Sequence, residues 1–479
     1  MATAVLPLII QGGMGIGVSD WRLARAVSLH GQLGVVSGTS LDAVLVRRLQ
    51  DGDVGGHMWR GMQRFPLPGV ADQVLHRYFL PGGRPPGTSY KSIPIWKQTV
   101  SRARTQLTML ATFVEVHLAK EGHEGPVGIN LLTKIQFPNL AALYGALLAG
   151  VDYVLMGAGI PREIPEVLDL LSQHRPAALK LEVDGLPPGR SELLHFDPRA
   201  HWDSAPPLRR PLFLPIIASN SLATVLARKA SGRVDGFVVE GPTAGGHNAP
   251  PRGEPRFNER GEPIYGERDE VDLAKLRELG LPFWVAGGAG SPERLAQALR
   301  DGAAGIQVGT LFAFCQESGV APAYKEAVLR YAAQGGVDVL TDPRASPTGY
   351  PFKAVHWPGE PSSDHPRPRR CDLGYLRAAY IQPDGQIGYR CSAEPVEDYV
   401  RKGGRPEDTE GRRCLCNALM ANIGLGQLRE DGREEPPLLT SGDDLRTIAT
   451  FLAGRTSYSA TDVLDYLLAG ATSSPVAPV

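Results

Sequence analysis

The sequence is short of cysteine and of net charge, and each shortage removes a class of function. Five cysteines in 479 residues are too few for a disulfide-stapled secreted scaffold. Fifty basic against fifty-one acidic residues leave a formal charge of −1, so no overall field draws the chain to nucleic acid or to an anionic membrane. No apolar run reaches membrane-spanning length. The opening residues 1–10 carry no basic n-region, and their apolar stretch stops at Gln11, unlike a signal peptide; a cytoplasmic protein is expected. No P-loop is present, and Gly13-Met14-Gly15-Ile16-Gly17 has the wrong spacing for a dinucleotide fingerprint.

What the chain does have is alternation. Val/Ile/Leu-rich runs at 6–10, 33–36, 127–132, 152–156, 177–183, 212–218, 236–239, 283–286 and 305–308 are separated by amphipathic segments, the pattern of a parallel sheet covered by helices. Helix ends are legible: Ser19 or Asp20 caps a helix that stops before Gly31, and Ser291-Pro292-Glu293 supplies a cap, an N1 proline and an early acid. Nine runs are one too many for an eight-stranded α/β barrel. The run 177–183, followed by Gly185-Leu186-Pro187-Pro188-Gly189, is expected to leave the barrel as a hairpin within 177–211. The expectation is a TIM (β/α)8 barrel over 1–340, with a helical, lid-like insertion at about 40–125 and an extra C-terminal region, 341–479. A doubly wound sheet is the competing architecture, but its glycine fingerprint would follow the first strand.

Three strand ends carry the chemistry. Phe237-Val238-Val239 leads into Gly245-Gly246-His247, Phe283-Trp284-Val285-Ala286 into Gly287-Gly288, and Gly305-Ile306-Gln307-Val308 into Gly309-Thr310. Glycine lets backbone N–H groups approach a ligand closely, and with one hydroxyl and a nearby helix start this suits a phosphate dianion. The plain alternative is that these glycines only turn the chain. His247 suits proton transfer near neutral pH, whereas His30, His123 and His174 lie at helix ends or turns, where capping or exposure explains them.

In order and spacing, Pro7-Leu8-Ile9-Ile10-Gln11-Gly12-Gly13-Met14-Gly15, Gly128-Ile129-Asn130-Leu131, Gly245-Gly246-His247, Ala286-Gly287-Gly288 and Gly305-Ile306-Gln307-Val308-Gly309-Thr310 resemble the nitronate monooxygenase (2-nitropropane dioxygenase-like) family. The resemblance implies FMN across the C-terminal ends of the barrel strands. It places Gln11, Gly12, Met14, Asn130 and Gly246 by the flavin, Gly287, Gly288, Gly309 and Thr310 on its phosphate, and His247 as the catalytic histidine. It implies an FMN-dependent oxidoreductase that oxidises a small nitronate-like substrate with O2. Two other readings stay open: a reductase of activated double bonds, enoyl-thioester reductase-like and fed by NAD(P)H or another electron donor, and a non-catalytic flavin- or phosphate-binding scaffold. Asn248-Ala249-Pro250-Pro251-Arg252-Gly253 is longer and stiffer than the His-Arg-Gly loop common in that family. The partner expected is a small molecule, with no nucleic acid and no membrane, and a homodimer stays open.

Cys371, Cys391, Cys414 and Cys416 fall within forty-six residues, whereas the preceding 370 contain only Cys315. Four thiolates suit Zn or a [4Fe–4S] cluster. Buried structural cysteines and a redox-active pair are the alternatives.

Overall fold

The structure, a computed structural model, describes residues 6–202, 205–361, 367 and 369–470. The start of the segment read for a signal peptide, 1–5, lies outside the described residues.

Eight parallel strands form the centre: β1 (Ile9–Gln11), β2 (Gly34–Ser37), β3 (Val127–Leu132), β4 (Tyr153–Gly157), β5 (Leu212–Ile217), β6 (Phe237–Glu240), β7 (Phe283–Ala286) and β8 (Gly305–Val308). Each pairs with its neighbour in sequence order, and β8 returns to β1. The last gap closes through a parallel bridge between Ile10 and Leu33, with Gln11 N donating to Leu33 O at 2.9 Å. This is a TIM barrel, as expected. Ile10, Val35, Leu155, Leu214, Val238 and Trp284 fill its interior, and Trp284 Nε1 donates to Pro7 O at 2.7 Å beneath them.

The helices follow their local signals. Asp20 caps Trp21–Leu29, its carboxylate accepting from Arg22 N and Leu23 N, and Ser291 caps Pro292–Arg300 in the same way through Arg294 N. The ninth run leaves the barrel: Ala177–Leu181 pairs antiparallel with Glu192–Phe196.

Two expectations change. Helix Arg102–Lys120, counted above with the insertion, packs against helices Trp21–Leu29 and Asn139–Leu148 and is the crossover helix between β2 and β3. The inserted part is therefore 40–101, and its helices Leu41–Gln50, His57–Met62 and Val70–Tyr78 pack on the outside of Arg102–Lys120. The C-terminal region is not an appendage either. Its last helix, Ala460–Leu468, sits against Trp21–Leu29 and Pro292–Arg300, the place an eighth helix would hold in the ring. Val463, Leu464 and Leu467, fully buried there, join the same apolar core as Leu23, Val27 and Leu295, so burying this face stabilises barrel and tail together.

Candidate active site

The C-terminal ends of the strands open into a cavity of about 200 Å³. Gly12 and Met14 reach it from β1, Asn130 from β3, Glu240 from β6, Gly287 and Gly288 from β7, and Gly309 and Thr310 from β8. Gly246 and His247 complete that side. The structure thus brings together nine of the ten barrel residues expected there.

Gln11 is the exception. It is fully buried, its Nε2 donating to Ser19 Oγ at 2.8 Å and its Oε1 accepting from Val35 N at 3.0 Å. An amide satisfied on both sides inside the protein has nothing left to offer a ligand; Gln11 holds the β1 loop in place and does not reach the cavity wall.

Among the described residues, none of 40–125 lines the cavity; its roof comes from elsewhere. Phe352, Leu419, Leu439, Thr440, Gly442 and Asp444 of the C-terminal region form the roof. Hairpin Asp338–Asp342 with Phe352–His356 docks on the histidine loop: Lys353 N donates to Gly246 O at 2.9 Å, and Gly246 N donates to Thr440 Oγ1 at 2.8 Å. A side chain at Gly245 would put its Cβ 2.7 Å from Gly442 N, so only glycine admits this contact. Lys353, 3% exposed, joins parts of the roof to one another through Asp443 at 3.0 Å and Thr341 Oγ1 at 2.7 Å.

His247 stands between barrel and roof. Its Nε2 lies 2.7 Å from Ser346 Oγ, which in turn pairs with Thr348 Oγ1 at 2.8 Å, and its ring meets Phe352 edge-on at 5.0 Å. The ring keeps some exposure to the cavity but has protein on every other side, and that burial lowers its pKa to about 4. At neutral pH the imidazole is uncharged, and Nδ1 is the nitrogen no described residue engages.

Glu240 was not singled out from the sequence, although it ends the same strand. It lines the cavity, and burial raises the pKa of its carboxyl to about 8. A short apolar run ending in Glu gives no sign of this; Pro242, Ala249, Pro250 and Tyr265 of the loop that follows the strand wall its other side.

The residues can be tested against the flavin that the family resemblance implies. Two buried acceptors, Gln307 Oε1 and Asn130 Oδ1, have no hydrogen-bond partner on the cavity wall, and a heteroaromatic ring bearing N–H groups would supply donors. Gly287 and Gly288 have φ of 85° and 62°, and a Cβ on Gly287 would lie 3.0 Å from Gly241 O, so this turn admits glycine alone. One feature works against a dianion. Asp444 accepts from the Gly290 N–H beside this turn, and burial, with Asp443 nearby, raises its pKa. Thr310 Oγ1 already accepts from Gly442 N at 3.1 Å, which leaves its proton free to point at a ligand. The site fits the group, with Asp444 tuning rather than closing the cradle.

The cysteines do not form the expected ligand set. Cys371 faces Cys391, Cys414 Sγ accepts from Asn417 Nδ2 at 3.4 Å, and Cys416 lies against the N–H groups of Tyr375 and Leu376. Among the described residues no group of three or more His, Cys, Asp or Glu is placed to hold a metal ion. Burial pushes the Cys414 thiol up to about 12 and raises that of Cys416 well above its ordinary value, as for thiols that pack as small apolar groups.

A parallel barrel whose roofed cavity sits at the C-terminal strand ends, with glycine turns after the last two strands, defines a TIM-barrel enzyme. Residues 210–340 match the family model described as nitronate monooxygenase, the stretch holding β5 to β8, Glu240, His247 and both glycine turns. The match bears out the resemblance and identifies the chain as a flavin-dependent oxidoreductase. No curated protein matches. Among solved structures the chain is similar to FabK from Thermotoga maritima, at 16% identity over 97% of this chain and 93% of that one, TM-score 0.46. It is also similar to a nitroalkane oxidase from Streptomyces ansochromogenes, at 15% over 98% and 96%, TM-score 0.45. A third is the enoyl reductase domain of MlnA from Bacillus amyloliquefaciens, at 11% over 98% and 94%, TM-score 0.47. No helix among the described residues is long and apolar enough to cross a membrane.

Proposed function

We propose that this oxidoreductase binds FMN in the roofed cavity and oxidises a small, nitronate-like substrate with O2. The observation that carries the reading is the placement of His247 and the Gly287–Gly288 turn in one cavity within the matched segment. Gly287, Gly288, Gly309 and Thr310 would hold the phosphate, and Asn130 and Gln307 would face the ring. Bound there, the flavin supplies the two-electron chemistry. His247, uncharged and oriented by Ser346, offers Nδ1 to the substrate as a hydrogen-bonding group or proton acceptor. The roof keeps bulk water from the reacting atoms.

A second reading, reduction of an activated double bond, draws support from the apolar part of the roof. Phe352, Leu419 and Leu439 would shelter a longer substrate than a nitronate. Anaerobic stopped-flow separates the two: bleaching of the flavin by a nitronate supports oxidation, and bleaching by NAD(P)H alone supports reduction. A purified protein that stays colourless after incubation with FMN rules out both.

A further inference from the structure

Glu240 is a carboxyl group with no counter-ion. Its strand end faces the main cavity on one side and a small side cavity on the other, the latter walled by Pro242, Ala249, Pro250 and Tyr265. No hydrogen bond or ion pair from a described residue reaches its carboxyl oxygens. The charged and titratable neighbours are otherwise engaged. Arg252 donates its guanidinium to the backbone oxygens of Arg268 and Ala218, and Asp269 accepts from Arg252 N and Gly266 N. Tyr265 OH donates to Ala249 O at 3.2 Å, His247 is held by Ser346, and Asp444 accepts from Gly290 N. A carboxylate left here would be a buried charge without a partner, which proteins avoid by keeping the proton.

We propose that Glu240 is an oxyanion-recognising residue of this site: its uncharged carboxyl donates a hydrogen bond to an oxygen of a planar, delocalised anionic substrate, a nitronate or an enolate. The inference rests on the oxidoreductase reading and narrows it to substrates whose negative charge sits on oxygen. A neutral carboxylic acid in an apolar pocket is a strong donor to such an oxygen, because the bond is charge-assisted and nearby water is excluded. Ionised, the same group repels the anion, so recognition carries its own pH limit. Burial raises the Glu240 pKa to about 8, and binding is expected to hold below that pH and to fade above it. His247, uncharged over the same range, contributes no opposing pH dependence there.

Nitrate, planar and unreactive, is the probe, with its affinity for the flavin-loaded protein measured by calorimetry from pH 6 to 10. In the wild type the dissociation constant should be constant below pH about 8 and rise about tenfold per unit above it. In Glu240→Gln, which keeps a neutral N–H donor, the high-pH loss should disappear. In Glu240→Ala nitrate should bind about tenfold or more weakly at pH 7, with circular dichroism confirming the fold. A flat wild-type profile, a Gln variant that keeps the high-pH loss, or an Ala variant with unchanged affinity overturns the proposal. Failure of the oxidoreductase reading shows itself separately, as absence of flavin absorption, because calorimetry reports anion binding whether or not a flavin turns over.

Discussion

Nε2 of His247 and Oγ of Ser346 lie 2.7 Å apart, joining the end of a barrel strand to the C-terminal hairpin across ninety-nine positions of sequence. This contact makes the tail part of the active site. It fixes which ring nitrogen faces Ser346, and leaves Nδ1 as the nitrogen no described residue engages.

Replacing Ser346 with alanine should therefore lower turnover by about tenfold or more through loss of orientation, with KM and flavin content little changed. Thr at 346 should restore most of the loss. Steady-state kinetics with a flavin count per chain would check it; a Ser346→Ala enzyme with wild-type turnover would mean that the hydrogen bond does not position His247.

Two buried groups set opposite pH dependences of stability. The folded-state pKa of His247 is depressed to about 4, so its contribution is present above the ordinary histidine range and is lost as pH falls from about 6.5 toward that value. That of Glu240 is raised to about 8, so its contribution is present below the ordinary glutamate range and is lost as pH rises from about 4.3 toward that value. Glu240→Gln should accordingly gain thermal stability relative to wild type as pH rises through this second window. Melting temperatures of both proteins from pH 4 to 9 would test the sign.

Asp444 places a carboxyl beside the Gly288 turn: a Cβ at Gly290 would lie 3.0 Å from its Oδ2, and one at Gly288 3.9 Å from its Oδ1. Near a phosphate dianion that carboxyl is a like charge or a proton to be retained. Asp444→Asn should bind FMN about tenfold more tightly at pH 8, corresponding to about 1.4 kcal/mol, with a smaller gain at pH 5. Fluorescence titration of the apoprotein would measure it; weaker binding would place the phosphate elsewhere.

The insertion is anchored through Asp42, 1% exposed, which accepts from Arg104 at 2.7 Å, Thr108 at 2.6 Å and Tyr375 of the tail. Burial raises its pKa, but Arg104 and these hydrogen bonds outweigh it and hold the carboxyl below its usual range. Asp42→Asn would leave Arg104 an uncompensated buried cation and should cost about 3–5 kcal/mol. Chemical denaturation would read this as a lower midpoint.

The strands were legible because each is a short apolar run, six of the eight meeting a glycine at their end, and the helix starts because capping by Asp20 and Ser291 is decided within three residues. The excursion at Ala177–Leu181 was legible from the Pro/Gly stretch after it. Local sequence also placed His247 and the two glycine turns at one barrel mouth, since a parallel barrel sends every strand's C-terminal end the same way; Gly12, Met14 and Asn130 were added by the family resemblance. Gln11 misled because a polar side chain at a strand end can turn toward a ligand or toward its own loop, and Ser19 and Val35 settled that choice. The insertion misled because its aromatic residues pack within the insertion or, as Phe65 and Trp96 do, on Phe113 and Arg104 of the Arg102–Lys120 helix, and none of them lines the cavity.

What only the tertiary structure decided is the upper half of the cavity. The pairing of Lys353 with Gly246, of Ser346 with His247 and of Gly442 with Thr310 depends on surfaces about a hundred residues or more apart, and no local periodicity records it. The same docking packs Ser346 and Phe352 against His247, and burial moves the pKa values of His247 and Glu240, because desolvation belongs to the assembled site rather than to either residue. Sequence determined where the barrel opens; the fold of the tail decided what chemistry that opening can hold.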